Sequence, residues 1–216
     1  MKILLIRHGK VAMEWKKKYT PGEYDDALRQ YDAADIVPVE QPQEPGDYKK
    51  VYVSSQRRAA QTARQLFPSV PESDVIETNL LNEVPLRSFS DSERSRPKWV
   101  YDAAGRLQWL MGKRQEETRS DTIRRADELI DLLEKNDEDV ILISHGFFMN
   151  VLIGRLKRRR RYEVSRGSTF VISPLERVRV TDRQPHCGGC HHNCLLKNAG
   201  CVIGQDKARK AGIPVR

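Results

Sequence analysis

Residues 3–9 read Ile-Leu-Leu-Ile-Arg-His-Gly, and residues 140–146 read Val-Ile-Leu-Ile-Ser-His-Gly. Each segment opens with four apolar residues, the pattern of a short strand buried on both faces of a parallel sheet. Residues 51–53, Val-Tyr-Val, indicate a third strand of this kind. Because parallel strands present their carboxyl ends at one edge of a sheet, we expect His8 and His145 to face one crevice.

Helical patterns lie between these strands. Apolar residues recur at helical spacing in residues 122–135, with Asp121 as the expected N-cap, and residues 58–67 and 146–156 are also helical in pattern. This alternation predicts an α/β fold, a three-layer sandwich with a mostly parallel sheet and helices on both faces. Two further strands, interpreted as an edge hairpin, are predicted at residues 167–172 and 178–181.

The chain has 216 residues, which fits one domain with an appendage better than two full domains. Its formal net charge of +8 favours an anionic partner, such as a phosphorylated metabolite, a nucleic acid or an acidic surface. No apolar run approaches the roughly 18 residues of a membrane span. The apolar run at the amino terminus is too short for a signal peptide. We therefore expect a cytoplasmic protein with reduced cysteines.

The third strand is followed by Ser-Ser-Gln-Arg-Arg over residues 54–58 and then by a helical pattern. This order delivers Arg58 or Arg57 to the same edge as the two histidines. The glycine after each histidine lets the chain turn sharply and brings backbone N–H groups near an anion. One guanidinium group can bind two phosphate oxygens at once, and a neutral imidazole can attack phosphorus. The edge is therefore a candidate phosphate site.

Four motifs together resemble the histidine phosphatase superfamily, which includes the phosphoglycerate mutases. They are Leu-Ile-Arg-His-Gly at residues 5–9, Ser-Ser-Gln-Arg-Arg-Ala-Ala-Gln-Thr-Ala at 54–63, Leu-Asn-Glu at 81–83 and Ser-His-Gly at 144–146. Each motif is weak alone, but the four follow the family order at family-like separations over roughly residues 1–180. The resemblance implies the α/β sandwich that the strand and helix patterns also predict.

The resemblance implies a role for each motif residue. His8 is the expected nucleophile that takes the phosphoryl group, and Glu83 is the expected general acid that protonates the leaving oxygen. His145 is expected to be catalytic as well. The residues expected to hold the substrate phosphate are Arg7, Gly9, Arg58 and His145. No cofactor is expected for catalysis, because the arginines supply the positive charge. The apolar neighbours of Glu83 are expected to favour its protonated form by desolvation.

These roles predict a phosphohydrolase that acts on a small phosphorylated substrate or a phosphoprotein through a phosphohistidine intermediate. A phosphoryl transferase of the phosphoglycerate mutase type is one alternative. It is less favoured, because residues 19–26 lack the tryptophan of the aromatic-Gly-Trp-Asp turn that the mutases usually carry. The other alternative is a non-catalytic binding or adaptor protein that uses the basic residues described below.

Substrate specificity is expected in the irregular stretches 11–48 and 86–118, which match no motif. Residues 105–109 are interpreted as part of an amphipathic core helix with Trp99 and Trp109 buried. A helical lid that selects the leaving group is the alternative.

Residues 183–216 change in character and are predicted to form a separate tail after a catalytic domain at residues 1–182. The metal ligands predicted in the tail are Cys187, Cys190, Cys194 and Cys201. Reduced thiolates at this spacing match a structural zinc site, in which His191 or His192 can replace one thiolate. An iron–sulfur cluster, disulfides and unliganded cysteines are the alternatives.

A dense basic run extends from Arg155 to Arg161 after the helix that follows His145. The first interpretation is a solvated helix end, since cations suit the carboxyl end of the helix dipole. The alternative is a docking patch that, with the basic tail, binds an anionic partner such as nucleic acid, lipid or an acidic protein.

Overall fold

The structure is a computed structural model that describes residues 2–159, 162–166, 177–182 and 202–210. Its strands are β1 (Lys2–Arg7), β2 (Lys18–Tyr19), β3 (Lys50–Ser54), β4 (Val75–Thr78), β5 (Arg96–Pro97), β6 (Val140–Ser144), β7 (Tyr162–Arg166) and β8 (Arg177–Asp182). Its helices are α1 (Pro21–Ala33), α2 (Arg57–Leu66), α3 (Lys98–Met111), α4 (Arg119–Asn136), α5 (Gly146–Arg158) and α6 (Val202–Lys210). Short 3₁₀ turns lie at Glu72–Asp74 and Asn79–Leu81.

Six strands of the described part of the chain form the main sheet, in the order β4-β3-β6-β1-β8-β7. The first four run parallel, since β3 pairs in parallel with β4 and β6, and β6 pairs in parallel with β1. Strand β8 lies antiparallel on the other side of β1. The apolar runs at residues 3–6, 51–53 and 140–143 are thus three central parallel strands, which confirms the predicted sheet.

Helices cover both faces of this sheet, which confirms the three-layer prediction. One apolar cluster joins the sheet to α4 and α5 and includes Ile3, Leu5, Leu142, Leu129 and Leu152. Another joins the sheet to α2 and includes Ile6, Val53, Ile143, Ala63 and Leu66. Successive side chains of a strand point to opposite faces, so covering both faces requires the unbroken apolar runs seen in the sequence.

A third apolar cluster joins α1 and α3, in the stretches that match no motif. Its buried members are three aromatic residues, Tyr19, Tyr24 and Tyr101, together with Ala27. The rings of Tyr24 and Tyr101 stack with centroids 4.6 Å apart. Helix α1 is fixed at its start by a capping box between Thr20 and Glu23. This cluster holds α1 and α3, and both helices contribute side chains to the cavity described below.

Two details of the predicted helices are corrected. The N-cap of α4 is Thr118, because its side chain accepts the Asp121 N–H while the Asp121 side chain accepts the Thr118 N–H. Trp99 is 69% exposed, so the prediction that it is buried is wrong, whereas Trp109 is buried. Helix α3 turns Tyr101 and Trp109 inward, and Trp99 lies two positions before this inward face.

The described part of the hairpin region holds β7 and β8. Strand β8 includes the predicted strand at residues 178–181, whereas β7 precedes the predicted position. The predicted strand at residues 167–172 lies outside the described residues.

The chain divides into two compact units, residues 1–181 and 182–216. The predicted metal ligands of the tail all lie outside the described residues; they are Cys187, Cys190, Cys194 and Cys201. Among the residues that the structure does describe, no group of three or more His, Cys, Asp or Glu side chains is placed to hold a metal ion. No helix in the described ranges has the length and apolar character needed to cross a membrane.

Gly105 tests how tightly α3 packs, and Gly154 of α5 serves as its control. A Cβ at Gly105 would lie 2.5 Å from Leu86 Cδ1, whereas a Cβ at Gly154 in α5 would meet nothing within 4 Å. We expect Gly105→Ala to lower the free energy of unfolding by about 1 kcal/mol, because overpacking outweighs the gain in helix propensity. Gly154→Ala is expected to raise it by about 0.5–1 kcal/mol. Urea unfolding measures both, and an equal gain in the two variants would contradict this packing.

Candidate active site

The carboxyl ends of β1 and β6 bring His8 and His145 together. Parallel pairing places Arg7 opposite Ser144, and the His8 N–H donates to the Ser144 carbonyl oxygen at 2.9 Å. The two imidazole centroids are 4.9 Å apart. His8 is 6% exposed and His145 is 0% exposed. The two histidines therefore lie side by side, out of bulk water, at the edge where the sequence places them.

The Gly9 carbonyl fixes the tautomer of His8. His8 Nδ1 lies 2.7 Å from that oxygen, which can only accept, so Nδ1 carries the proton of the neutral ring and Nε2 keeps its lone pair. Burial lowers the pKa of His8 to about 4; the Gly9 hydrogen bond opposes this shift, and the charges of Arg58 and Arg7 add to it. His8 is therefore a neutral base at physiological pH.

Gly9 itself is bound within the protein. Its N–H donates to Thr62 Oγ1 at 2.9 Å, and the Thr62 hydroxyl donates to the Arg58 carbonyl oxygen at 2.6 Å. A Cβ at Gly9 would lie 3.2 Å from Ile36 Cδ1, so the chain passes close to Ile36 here. The Gly9 N–H is thus used by Thr62, which differs from the expectation that it meets the substrate phosphate.

Arg58 is buried and reaches three side chains at once. Its Nε donates to His145 Nδ1 at 3.2 Å, its Nη1 to Asp32 Oδ1 at 2.7 Å and its Nη2 to Gln56 Oε1 at 2.9 Å. The guanidinium carbon lies 5.0 Å from the centroid of the Tyr31 ring. The position of this cation is therefore set before any ligand arrives.

The other two motif arginines differ in their surroundings. Arg57 is exposed and donates from Nε and Nη2 to Asp35 Oδ1 at 2.9 and 2.6 Å, so Arg58 is the arginine of this pair that reaches the histidines. Arg7 is exposed, and a Cβ at Gly146 would lie 3.2 Å from its Cζ. The Arg7 guanidinium thus lies against the first residue of α5, which has to be small.

His145 is held as the opposite tautomer to His8. Since the Arg58 Nε–H can only donate, His145 Nδ1 accepts and Nε2 carries the proton. Nε2 lies 2.8 Å from Ser54 Oγ, and the Ser54 hydroxyl donates to Asn82 Oδ1 at 2.7 Å. The Ser55 N–H donates to the same oxygen at 3.0 Å, which fixes the orientation of the amide. The hydrogen bonds therefore run in one direction, from Arg58 to Asn82.

Both ring nitrogens of His145 are used inside the protein, which differs from the expectation that they bind the phosphate. Burial lowers the pKa of His145 well below its ordinary value, and the charge of Arg58 acts in the same direction. Ser54 and Asn82 belong to quoted motifs, but their spacing alone does not show that they bind each other. The position of Ser54 at the end of β3 is the sequence signal that points to it.

The Glu83 carboxylate lies at the amino end of α5. Its Oε2 accepts the Phe147 N–H at 3.2 Å, and its Oε1 accepts the Phe148 N–H at 3.0 Å and the Val84 N–H at 2.9 Å. The groups nearest to the carboxyl oxygens in space are thus backbone amides, although the neighbours of Glu83 in the sequence are apolar.

A cavity of about 640 Å³ opens at this edge. The motif residues that line it are Arg7, Gln56, Arg58 and Glu83. Helices α1 and α3 and the segment before α1 add side chains from stretches 11–48 and 86–118, where the sequence predicts specificity but no motif identifies single residues. Among them are Trp15, Tyr24, Tyr31, Lys98, Asp102 and Arg106. His8 borders this lining through Tyr31, with ring centroids 6.4 Å apart. The cavity has the size of a small-molecule site.

Arg106 is a cation of the cavity wall and belongs to residues 105–109, for which the sequence left open a lid that selects the leaving group. Its Nη1 donates to the Val84 carbonyl oxygen at 3.2 Å, and its guanidinium carbon lies 3.8 Å from the Phe147 ring centroid. Burial lowers its pKa from the ordinary value. Lys98 on the same helix pairs with Asp102 at 2.8 Å. Within the described residues no carboxylate pairs with Arg106, so its charge is available to a ligand.

Part of the basic run links two helices. Arg155 and Arg159 pair with acidic side chains of α4 at 2.7 to 2.8 Å. These partners are Asp127, Asp131 and Glu134. Lys157 and Arg158 are exposed, and the last two arginines of the run lie outside the described residues. A fully solvated helix end is therefore a wrong interpretation for Arg155 and Arg159, which hold α5 against α4.

The chain is similar to known proteins in its sequence and in its fold. The family model of the histidine phosphatase superfamily (branch 1) matches residues 3–181. The structure is similar to a phosphoserine phosphatase mutant from Entamoeba histolytica in complex with phosphoserine (20% identity, TM-score 0.47, covering 73% of this chain and 80% of that one). It is also similar to a putative alpha-ribazole-5′-P phosphatase from Escherichia coli K-12 (18% identity, TM-score 0.48, covering 72% of this chain and 79% of that one). A search of curated proteins gave no match.

Buried, neutral His8 is expected to make stability depend on pH. Its pKa is about 4 in the folded protein and ordinarily 6.5, so between these values the unfolded chain binds more protons and acid favours unfolding. Between pH 7.5 and pH 5, His8 alone is expected to lower the free energy of unfolding by about 2 kcal/mol. Denaturant unfolding of wild type and His8→Asn at both pH values measures this. The same loss in both proteins would contradict it.

Proposed function

The chain belongs to the histidine phosphatase superfamily, and we propose that it is a phosphohydrolase that cleaves a phosphomonoester through a phosphohistidine at His8. The state of His8 carries the proposal: a buried, neutral imidazole whose Nδ1 proton is held by Gly9 and whose Nε2 lone pair is left for attack. Arg7 and Arg58, the two cations whose charges act on His8, supply the positive charge that a phosphate needs.

The proposed reaction has two steps. His8 Nε2 attacks phosphorus, the bond from phosphorus to the leaving oxygen breaks, and that oxygen takes a proton from Glu83. The ring then carries a positive charge, which the Gly9 carbonyl stabilises through Nδ1–H. The Glu83 carboxylate next takes a proton from water, whose oxygen attacks phosphorus. The bond from phosphorus to Nε2 breaks, inorganic phosphate leaves and His8 is neutral again.

Arg58 is the proposed binder of the phosphate oxygens, together with Arg7. Its bonds to His145, Asp32 and Gln56 use three of the five guanidinium N–H donors, which leaves two for a phosphate. Because these bonds fix the guanidinium in advance, it does not have to reorganise as charge builds up on the equatorial oxygens. We propose that His145 acts through Arg58, as a positioning residue, since both of its nitrogens are occupied.

Glu83 needs a proton to act as an acid. A phosphomonoester brings negative charge next to it, and like charges oppose each other's ionisation. In the proposed reaction Glu83 carries this proton when the substrate is bound. The same backbone donors that hold the free carboxylate then stabilise the product of proton transfer, so Glu83 is ready to act as the base for water.

The cavity supports a small phosphorylated molecule as the substrate. Trp15 and Tyr31 offer apolar surface to a leaving group, and Arg106 offers a charge with no carboxylate partner among the described residues. A leaving group with its own anionic group fits this combination. A phosphoprotein would need much of its contact surface outside the cavity.

The adjacent arginines allow a matched test of the phosphate site. His8→Ala is expected to abolish turnover and acid-labile phosphoryl labelling, because no other nucleophile is offered. Arg58→Ala is expected to lower kcat about 10²- to 10³-fold, whereas Arg57→Ala should leave kcat near wild type, since its guanidinium lies on Asp35. Phosphate release from a panel of phosphorylated metabolites measures this. Turnover retained in His8→Ala, or an isomerised ester in place of free phosphate, would refute the proposal.

Arg106 is expected to select for anionic leaving groups. Arg106→Leu should lower kcat/KM about 10- to 100-fold for phosphomonoesters that carry a carboxylate, the size expected for a lost charge-assisted hydrogen bond. It should leave phenyl phosphate near the wild-type value. Leu107→Ala, on the exposed face of α3, is the control for changes to the helix itself. Equal losses with both substrates would contradict the selective role.

A further inference from the structure

The short segment Asn79–Leu81, with Asn82 and Glu83 after it, controls two parts of the proposed site. Asn82 Oδ1 ends the hydrogen-bond series that starts at Arg58 and passes through His145. Glu83 follows directly and lines the cavity. A shift of this segment would therefore move the proposed general acid and release His145 together.

Arg125 of α4 holds the carbonyl groups of this segment. Its Nη1 donates to Asn82 O at 2.7 Å and to Leu80 O at 3.1 Å, with Asn79 O at 3.4 Å. The carbonyl that Arg125 does not reach, Leu81 O, accepts the Ser144 hydroxyl at 2.6 Å. A single guanidinium thus binds the open end of the 3₁₀ turn, where unpaired carbonyls concentrate negative partial charge.

Arg125 is itself fixed in two ways. Glu117 accepts from its Nε and Nη2 at 3.2 and 3.0 Å, and both side chains are only 17% exposed. The guanidinium carbon also lies 4.2 Å from the Phe148 ring centroid, and the Phe148 N–H donates to Glu83 Oε1. Arg125 therefore touches the backbone on one side of Glu83 and the residue that binds its carboxylate on the other.

We propose that Arg125, fixed by Glu117, is a positioning residue for the general acid Glu83, a role that rests on the function proposed above. Lysine at this position keeps the charge, but it offers one donor centre in place of the planar fork. It cannot pair with Glu117 through two nitrogens and bind the carbonyls with a third. The geometry at Glu83, not the charge, is what the substitution changes.

The leaving group separates this role from a merely structural one. A good leaving group such as p-nitrophenolate departs without a proton, whereas an alkoxide has to be protonated as the bond breaks. Misplacing the general acid therefore slows the release of an alkoxide leaving group from the substrate and spares the release of p-nitrophenolate, which kcat/KM measures for each substrate. A general loss of folded protein lowers both rates equally.

The experiment compares Arg125→Lys and Glu117→Gln with Glu83→Gln and Arg155→Lys. Arg155 of α5 donates through two nitrogens to Asp127 of α4, and its hydrogen bonds involve neither Glu83 nor residues 79–82. It is therefore the matched control. We expect kcat/KM for an alkyl phosphate, which reports the steps up to release of the leaving group, to fall about 10- to 100-fold in both test variants. Glu83→Gln is the reference for loss of the acid itself on this substrate. In Arg125→Lys and Glu117→Gln, kcat/KM for p-nitrophenyl phosphate should stay near wild type. Arg155→Lys should change neither rate. Equal losses on both substrates in Arg125→Lys would overturn the proposal.

Amide hydrogen exchange tests the same contacts without turnover. The Asn82 and Glu83 amides, which donate to Asn79 O and Gln56 Oε1, should exchange faster in Arg125→Lys and not in Arg155→Lys. Unchanged exchange in Arg125→Lys would overturn the role of Arg125, even in a protein with normal turnover. If the wild type releases no phosphate from any ester, the proposed function fails, and exchange still decides whether Arg125 holds this segment.

Discussion

The pairing register of β1 with β6 is the constraint on which the site depends. It sets Arg7 opposite Ser144, so that His8 and His145 leave the sheet at the same level. A slip of one residue would move one ring by about 3.3 Å and turn it to the opposite face. Apolar side chains line both faces of these strands, so burial alone does not select the register. Polar contacts at the edge do, above all the Ser144 hydroxyl on Leu81 O.

Groups that can hydrogen bond in only one sense fix the protonation of the histidines. The Gly9 carbonyl can only accept, and the guanidinium of Arg58 can only donate, so the two neighbouring rings are opposite tautomers. Burial keeps both neutral, and the positive charge of the cluster therefore stays on the arginines. His8 therefore keeps a free lone pair, whereas both nitrogens of His145 are hydrogen bonded, as the positioning role proposed for His145 requires.

The sequence predicts those parts of the fold whose burial leaves a simple pattern. Strands β1, β3 and β6 are covered on both faces, so their unbroken apolar runs identify them and place the motif residues at their ends. Helix α1 buries only Pro21, Tyr24 and Ala27, too few residues for a clear helical periodicity. The surroundings of Glu83 could not be predicted, because the Phe147 amide that binds it comes from 64 residues further along the chain.

The net charge of the chain does not identify the cation that we propose for an anionic leaving group. Arg155 and Arg159 of the basic run are neutralised on α4, and Lys98 at the cavity is neutralised by Asp102. What distinguishes Arg106 is partial burial without a carboxylate partner in the described part of the chain. Holding an unpaired cation away from water costs free energy in the empty protein. An anionic ligand removes that cost when it binds, so affinity depends on which cations the fold leaves unpaired, not on how many it carries.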